Sequence, residues 1–223
     1  MVRRNPVPVL FWLAVFAIAM AYFEAAIVVY LRGLYYPDDI TMIFPLAILT
    51  PEHLLVELGR EACTILMLIS IAMAVEHVPT RRFAVFCLLM GVWDLFYYVW
   101  LKVLIGWPLT WMEWDVLFLI PWIWLGPWIC PAVIAVLFIV WGGRVLASPA
   151  EFSFSRRQSI IFVAGTLLGL ASFLWPAADV LFSTGIGGLT GFIPQTFDWW
   201  LYVPGLLLMG MGFPWRERRV FAR

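Results

Sequence analysis

Thr50–His77 reads TPEHLLVELGREACTILMLISIAMAVEH, and this stretch decides the fold. Thr50 is a helix cap, Pro51 suits the first turn, and Glu52 sits at the positive end of the helix dipole. The run behind them is apolar and long enough to cross a bilayer. Its first half nevertheless carries His53, Glu57, Arg60, Glu61 and Thr64. At about 100° per residue these five share one face, within roughly 100° of one another. Each charge near the bilayer centre costs about 2.5–3.5 kcal/mol on insertion scales, so this face must turn away from lipid. The other helices are expected to cover it.

Composition supports the same reading. The chain has 223 residues, of which 64% are hydrophobic and 13% charged, and a mean hydropathy of +0.96. A soluble domain of this size needs far more polar surface. The expected fold class is all-α, a single integral membrane bundle of six transmembrane helices. No stretch has the character of a nucleic-acid-binding module. Cys63, Cys87 and Cys130 lie in apolar segments without a CxxC pair and read as small buried hydrophobes. His53 and His77 stand at opposite ends of one helix, roughly 36 Å apart at 1.5 Å per residue. They cannot ligate one haem between them.

The first span is expected at about 9–31, behind Arg3 and Arg4. Ala17, Ala19 and Ala21 offer a signal-peptide reading, but the apolar run is long for a signal core, and a retained helix is favoured. Ala14, Ala17, Ala21, Glu24, Ala25 and Val28 share a face of small residues carrying one carboxylate. The 32–49 loop contains Asp38 and Asp39 at a proline turn, read as a solvated turn rather than a cation site.

The second span is expected at about 51–76 and the third at about 83–104. On the third, Asp94, Tyr98 and Lys102 align at steps of four with Tyr97 beside them, and Gly91 allows a close neighbour. The fourth segment, about 116–141, is interrupted by Pro121, Pro127 and Pro131. A regular helix is unexpected there before Pro127, so a short entry piece should precede the main span. Eight of the 14 tryptophans fall between Trp93 and Trp128. An aromatic belt at the membrane surface is the first reading, and a stacking wall for a flat lipid-soluble ligand the second. The fifth span, about 159–182, repeats Gly165, Gly169, Ser172, Pro176, Asp179 and Ser183 on one face. The short sixth, about 196–213, aligns Asp198, Tyr202, Gly205, Met209 and Gly212.

Six spans place both termini on one side. Arg3, Arg4, Arg81, Arg82, Arg144, Arg156, Arg157, Arg216, Arg218, Arg219 and Arg223 then fall there, which makes that side cytoplasmic by the positive-inside rule. Most acids map to the outer half instead, although topology does not require it. Helix rise places Glu24, Glu61 and Asp94 at similar depth on three helices. An acidic pocket open to the outer side follows, with Glu24, Glu57, Glu61, Asp94 and His53 as candidate metal ligands. Arg60, Lys102 and Tyr98 are the candidate charge partners, and Asp115, Asp179 and Asp198 the candidate rim. Like charges crowded in low dielectric cannot all stay ionised, so the pocket needs a metal, protons, a cationic substrate or water. One imidazole among oxygens suits manganese, iron or zinc, but the repeated Glu-x-x-His of dimetal bundles is absent. There is no GxSxG, P-loop, HExxH or GxGxxG pattern.

The runs GREACTILML, GVWDLFYYVWLKVLIGWP and WDVLFLIPWIWLGP, within residues 59–127, resemble bacterial polytopic proteins of an uncharacterised family. That resemblance implies a bacterial inner-membrane protein and brings no activity with it. Three functions follow from the residues. The leading one is a cation-binding membrane protein, such as a small transporter or a metal-dependent protein. The second is an accessory subunit of a larger complex in which the charges form a structural polar network, whereas a lone transporter would run as itself or as a small homo-oligomer. The third is an enzyme or binding subunit for a quinone or lipid.

Overall fold

A computed structural model describes residues 6–217. The terminal arginines Arg3, Arg4, Arg218, Arg219 and Arg223, used in the charge tally, lie outside the described residues. The elements in order are α1 (Pro6–Tyr35), α2 (Pro51–Val75), α3 (Pro79–Ile105), β1 (Trp114–Phe118), β2 (Trp124–Pro127), α4 (Ile129–Ala147), α5 (Arg156–Thr184) and α6 (Trp199–Gly212). A single 3₁₀ turn, Ile186–Leu189, follows α5. Among the described residues α1 to α5 are long and apolar enough to cross a membrane, so this is a multi-pass membrane protein. With 14 residues, α6 is shorter.

Local chemistry sets the helix ends. The Thr50 hydroxyl accepts from the His53 amide at 3.4 Å, and Pro51 opens α2 without an amide to lose. Gly106 closes α3 in the left-handed conformation, φ 73°. Ser155 and Gln158 form a reciprocal capping box at the start of α5.

The helices assemble through small residues. Between membrane helices water expulsion supplies no attraction, so close backbone contact and dispersion must hold them. On α1, Ala17, Ala21 and Ala25 are fully buried, and the Trp100 indole of α3 donates to the Ile18 carbonyl at 3.1 Å. Gly91 lets α3 approach α4 so closely that a β-carbon there would lie 2.5 Å from the Ala135 carbonyl oxygen. Gly165 and Gly169 of α5 face Gly205 and Met209 of α6 in the same manner, and Gly212 meets the Phe162 backbone. At the far end Phe83, Trp141, Phe154, Phe162 and Phe213 form one aromatic cluster tying α3 and α4 to α5 and α6. Arg81 stands beside it. It pairs with Glu76 at 2.9 Å and donates to the Val145, Leu146 and Ser148 carbonyls, closing the end of α4.

The fourth segment does divide at Pro127, as the prolines require, but its entry piece is a strand pair and not part of the span expected from 116. Residues 114–127 form an antiparallel hairpin, with Trp114 opposite Pro127, Asp115 opposite Gly126, Val116 opposite Leu125 and Phe118 opposite Trp124. The helix begins only at Ile129. Pro121 would cost a helix one hydrogen bond and clash with the preceding turn, and the tryptophan, valine and phenylalanine around it favour extended backbone. The Ile120–Pro121 bond is cis. Gly126 lets the hairpin press on α5, since a β-carbon there would lie 2.8 Å from the Phe173 ring.

Candidate functional site

A cavity of about 430 Å³ lies where α1 ends and α2 begins, closed on its third side by the hairpin. Val28, Leu31, Leu46, Leu54, Leu58 and Ile123 give it apolar walls. Five charged side chains enter it: Arg32 from α1, Glu57, Arg60 and Glu61 from α2, and Asp115 from β1.

Arg60 is the hub of the first charged group. Its Nε donates to Glu57 Oε2 at 2.7 Å, its Nη1 pairs with Glu24 of α1, and its Nη2 is 3.8 Å from Glu61 Oε1. The helical stripe and the α1 carboxylate thus meet on one guanidinium. Glu57 and Glu61 are both buried. Glu61 has a second task. Its two oxygens accept from the Leu119 amide at 3.0 and 2.9 Å. Leu119 lies at the hairpin tip beyond the paired strands, where an amide has no ladder partner. An amide left unpaired away from water is destabilising, and the carboxylate satisfies it.

The second charged group pairs Arg32 with Asp115. Arg32 Nη2 stands 3.6 Å from Asp115 Oδ1, with the guanidinium carbon 4.2 Å from the centroid of the buried Trp107 ring. Both side chains are buried. Asp115 Oδ1 also accepts from the Val116 amide at 3.0 Å. Burial pushes the Asp115 carboxyl up, to about 6, against the pull of the Arg32 guanidinium.

The 36–50 loop covers the cavity and is pinned at several points. The Tyr36 hydroxyl donates to the Ile43 carbonyl and accepts from the Ala47 amide. Leu46 exchanges backbone bonds with Gly191 and Phe192 at 2.9 Å. Asp39 is spent on a turn, since the Thr41 amide and hydroxyl both donate to it. Those two bonds hold its carboxyl below the ordinary range.

The remaining sequence candidates are dispersed. His53 is exposed, its Nδ1 2.6 Å from the hydroxyl of Tyr35, and it does not line the cavity. Asp94 lies on α3 with no ion pair among the described residues. Lys102 is turned to its own helix end, donating to the Gly106 and Pro108 carbonyls at 2.8 Å. Tyr98 is buried between Trp107 and Trp128, with its hydroxyl on the Asp115 carboxyl. Of the three rim candidates only Asp115 reaches the cavity. Asp179 is exposed on α5, and Asp198 precedes α6 and accepts from the Trp200 indole at 2.9 Å. Among the described residues no group of three His, Cys, Asp or Glu side chains is placed to hold a metal ion.

Sequence reasoning missed Arg32 as a site residue. The signal was present: the small-residue face of α1 steps Ala21, Ala25, Val28, and the next step of four is Arg32. No family model matches this chain, and neither a curated protein nor a solved structure matches it.

Proposed function

We propose that this chain is a six-span inner-membrane protein, both termini cytoplasmic, that binds a small amphiphilic molecule of the quinone or lipid kind. The bound molecule occupies the cavity between α1, α2 and the hairpin, which opens to the outer half of the membrane. One observation carries the reading: a cavity of about 430 Å³ with apolar walls on which two arginines and their carboxylates converge. Small-molecule sites have this character, mostly apolar with a few placed polar groups. The orientation rests on the sorting of arginines, and Arg81, Arg82, Arg144, Arg156, Arg157 and Arg216 lie at or beyond helix ends on the cytoplasmic side it assigns.

The test is to purify the protein in mild detergent, extract it with solvent, and identify bound amphiphiles by mass spectrometry. Leu58→Trp, which fills the cavity, is compared in parallel. An amphiphile present in the native protein and lost in L58W supports the function. Identical extracts, with no melting shift on adding quinones or lipids to either protein, refute it.

A cation or proton site is the second reading. It is favoured by the excess of acid, since Glu24, Glu57 and Glu61 share a single arginine. Elemental analysis beside a Glu57→Gln, Glu61→Gln double variant tests it. A stoichiometric metal lost in the variant would favour a metal-dependent protein over an amphiphile binder.

A further inference from the structure

Arg32 and Asp115 are 4% and 2% exposed, yet their pairing is incomplete. The 3.6 Å separation is longer than a hydrogen bond. Arg32 Nη1 and Nη2 and Asp115 Oδ2 have no hydrogen-bond partner among the described residues, the Tyr98 hydroxyl being another side-chain group that interacts with the Asp115 carboxyl there. Buried polar groups are nearly always satisfied, so a buried donor and acceptor side by side need an explanation. Both residues line the cavity. Arg60 is the contrast: Glu24, Glu57 and Glu61 already surround it.

We infer that the Arg32–Asp115 pair is a head-group subsite for a neutral, hydroxyl-bearing amphiphile. This rests on the reading of the cavity as an amphiphile site. A hydroxyl oxygen accepts from the Arg32 guanidinium while its proton is donated to Asp115 Oδ2. A phosphate or carboxylate head would meet Asp115, Glu57 and Glu61 in the same cavity, with each arginine already facing carboxylate. An ammonium head would meet Arg32 beside Asp115. The apolar body lies along Leu31, Leu54 and Leu58. Two sources present this chemistry, a long-chain or isoprenoid alcohol and a quinol.

The experiment holds the tail and varies the head. The full chain in nanodiscs is titrated with farnesol, farnesyl phosphate and farnesylamine, with decylubiquinol as the quinol, and read by native mass spectrometry and melting temperature. Saturable 1:1 binding of farnesol or decylubiquinol is expected, with phosphate and amine heads at least about tenfold weaker. Whichever of the two binds more tightly identifies the source. Asp115→Asn keeps an oxygen for the Val116 amide but puts a donor where Oδ2 accepts, and it should weaken the hydroxyl compounds about tenfold. If that variant fails to fold, the head-group ranking on the native chain decides alone. Tighter binding of farnesyl phosphate or farnesylamine, or unchanged affinity in D115N, overturns the head-group assignment and leaves the amphiphile reading standing. Binding of none of the four overturns both.

Discussion

Arg60→Met should be among the most destabilising single changes in this protein. Arg60 holds Glu57 at 2.7 Å, contacts Glu24 of a different helix, and stands 3.8 Å from Glu61. Its side chain is 16% exposed, so water does little to replace it. Methionine fills much of the same volume and removes the charge together with the donors to Glu57 and Glu24. Three carboxyl groups then remain without their shared cation. Removing one partner of a buried pair costs about 3–5 kcal/mol. Glu57→Gln is milder, because Arg60 keeps Glu24 and Glu61. One charge-assisted hydrogen bond is lost, worth about 1.5–3 kcal/mol. The R60M/E57Q double variant should then be more stable than the sum of the singles predicts, by at least about 1 kcal/mol, since Gln leaves one less stranded charge. Unfolding in SDS mixed micelles, followed by tryptophan fluorescence, measures all three. If R60M costs under about 1 kcal/mol and the two changes simply add, Arg60 is not the hub of a buried network.

Other perturbations probe separate parts of the fold. Gly91→Ala places a β-carbon 2.5 Å from the Ala135 carbonyl oxygen and should cost about 1–3 kcal/mol in the same micelle titration. Gly59→Ala, with nothing within 4 Å, should instead be neutral or stabilise α2 by up to about 1 kcal/mol. Arg81→Ala strips the Val145, Leu146 and Ser148 carbonyls of their donor. A loss of about 2 kcal/mol is expected, with faster hydrogen exchange confined to the end of α4. Glu61→Ala should raise the exchange rate of the Leu119 amide roughly tenfold or more, while leaving the β1–β2 ladder amides protected.

The parts of this structure legible in the sequence are those written at helical spacing. The stripe from His53 to Thr64 requires a partner on another helix, and Glu24 lies on the small face of α1 that supplies it. The Gly165–Gly169 and Gly205–Met209 faces likewise meet. What was not legible depends on irregular backbone. Prolines mark where a helix cannot run but not what replaces it, so the hairpin and its hold on Glu61 were not foreseen. The rim candidates show a related gap: Asp179 and Asp198 fall in the outer half with the other acids, but position along a helix says nothing of where that helix stands in the bundle, and Asp179 is exposed on α5. Lys102 was counted as a partner for the acids, yet carbonyls at its own helix end lie within easier reach.

The contact between Glu24 and Arg60 also bears on how the chain enters the membrane. Emerging alone, α2 carries Glu57, Arg60 and Glu61 behind its first turn, at about 2.5–3.5 kcal/mol each if they reach the bilayer centre. That penalty opposes the apolar gain of the rest of the helix. Glu24 is already in place on α1 when Arg60 is synthesised, because translation runs from the N-terminus. Presented together, Glu24 and Arg60 cancel one charge of each sign before either faces lipid. Membrane entry of α2 is therefore coupled to α1 through this ion pair, and α2 grafted behind an unrelated leader should partition poorly.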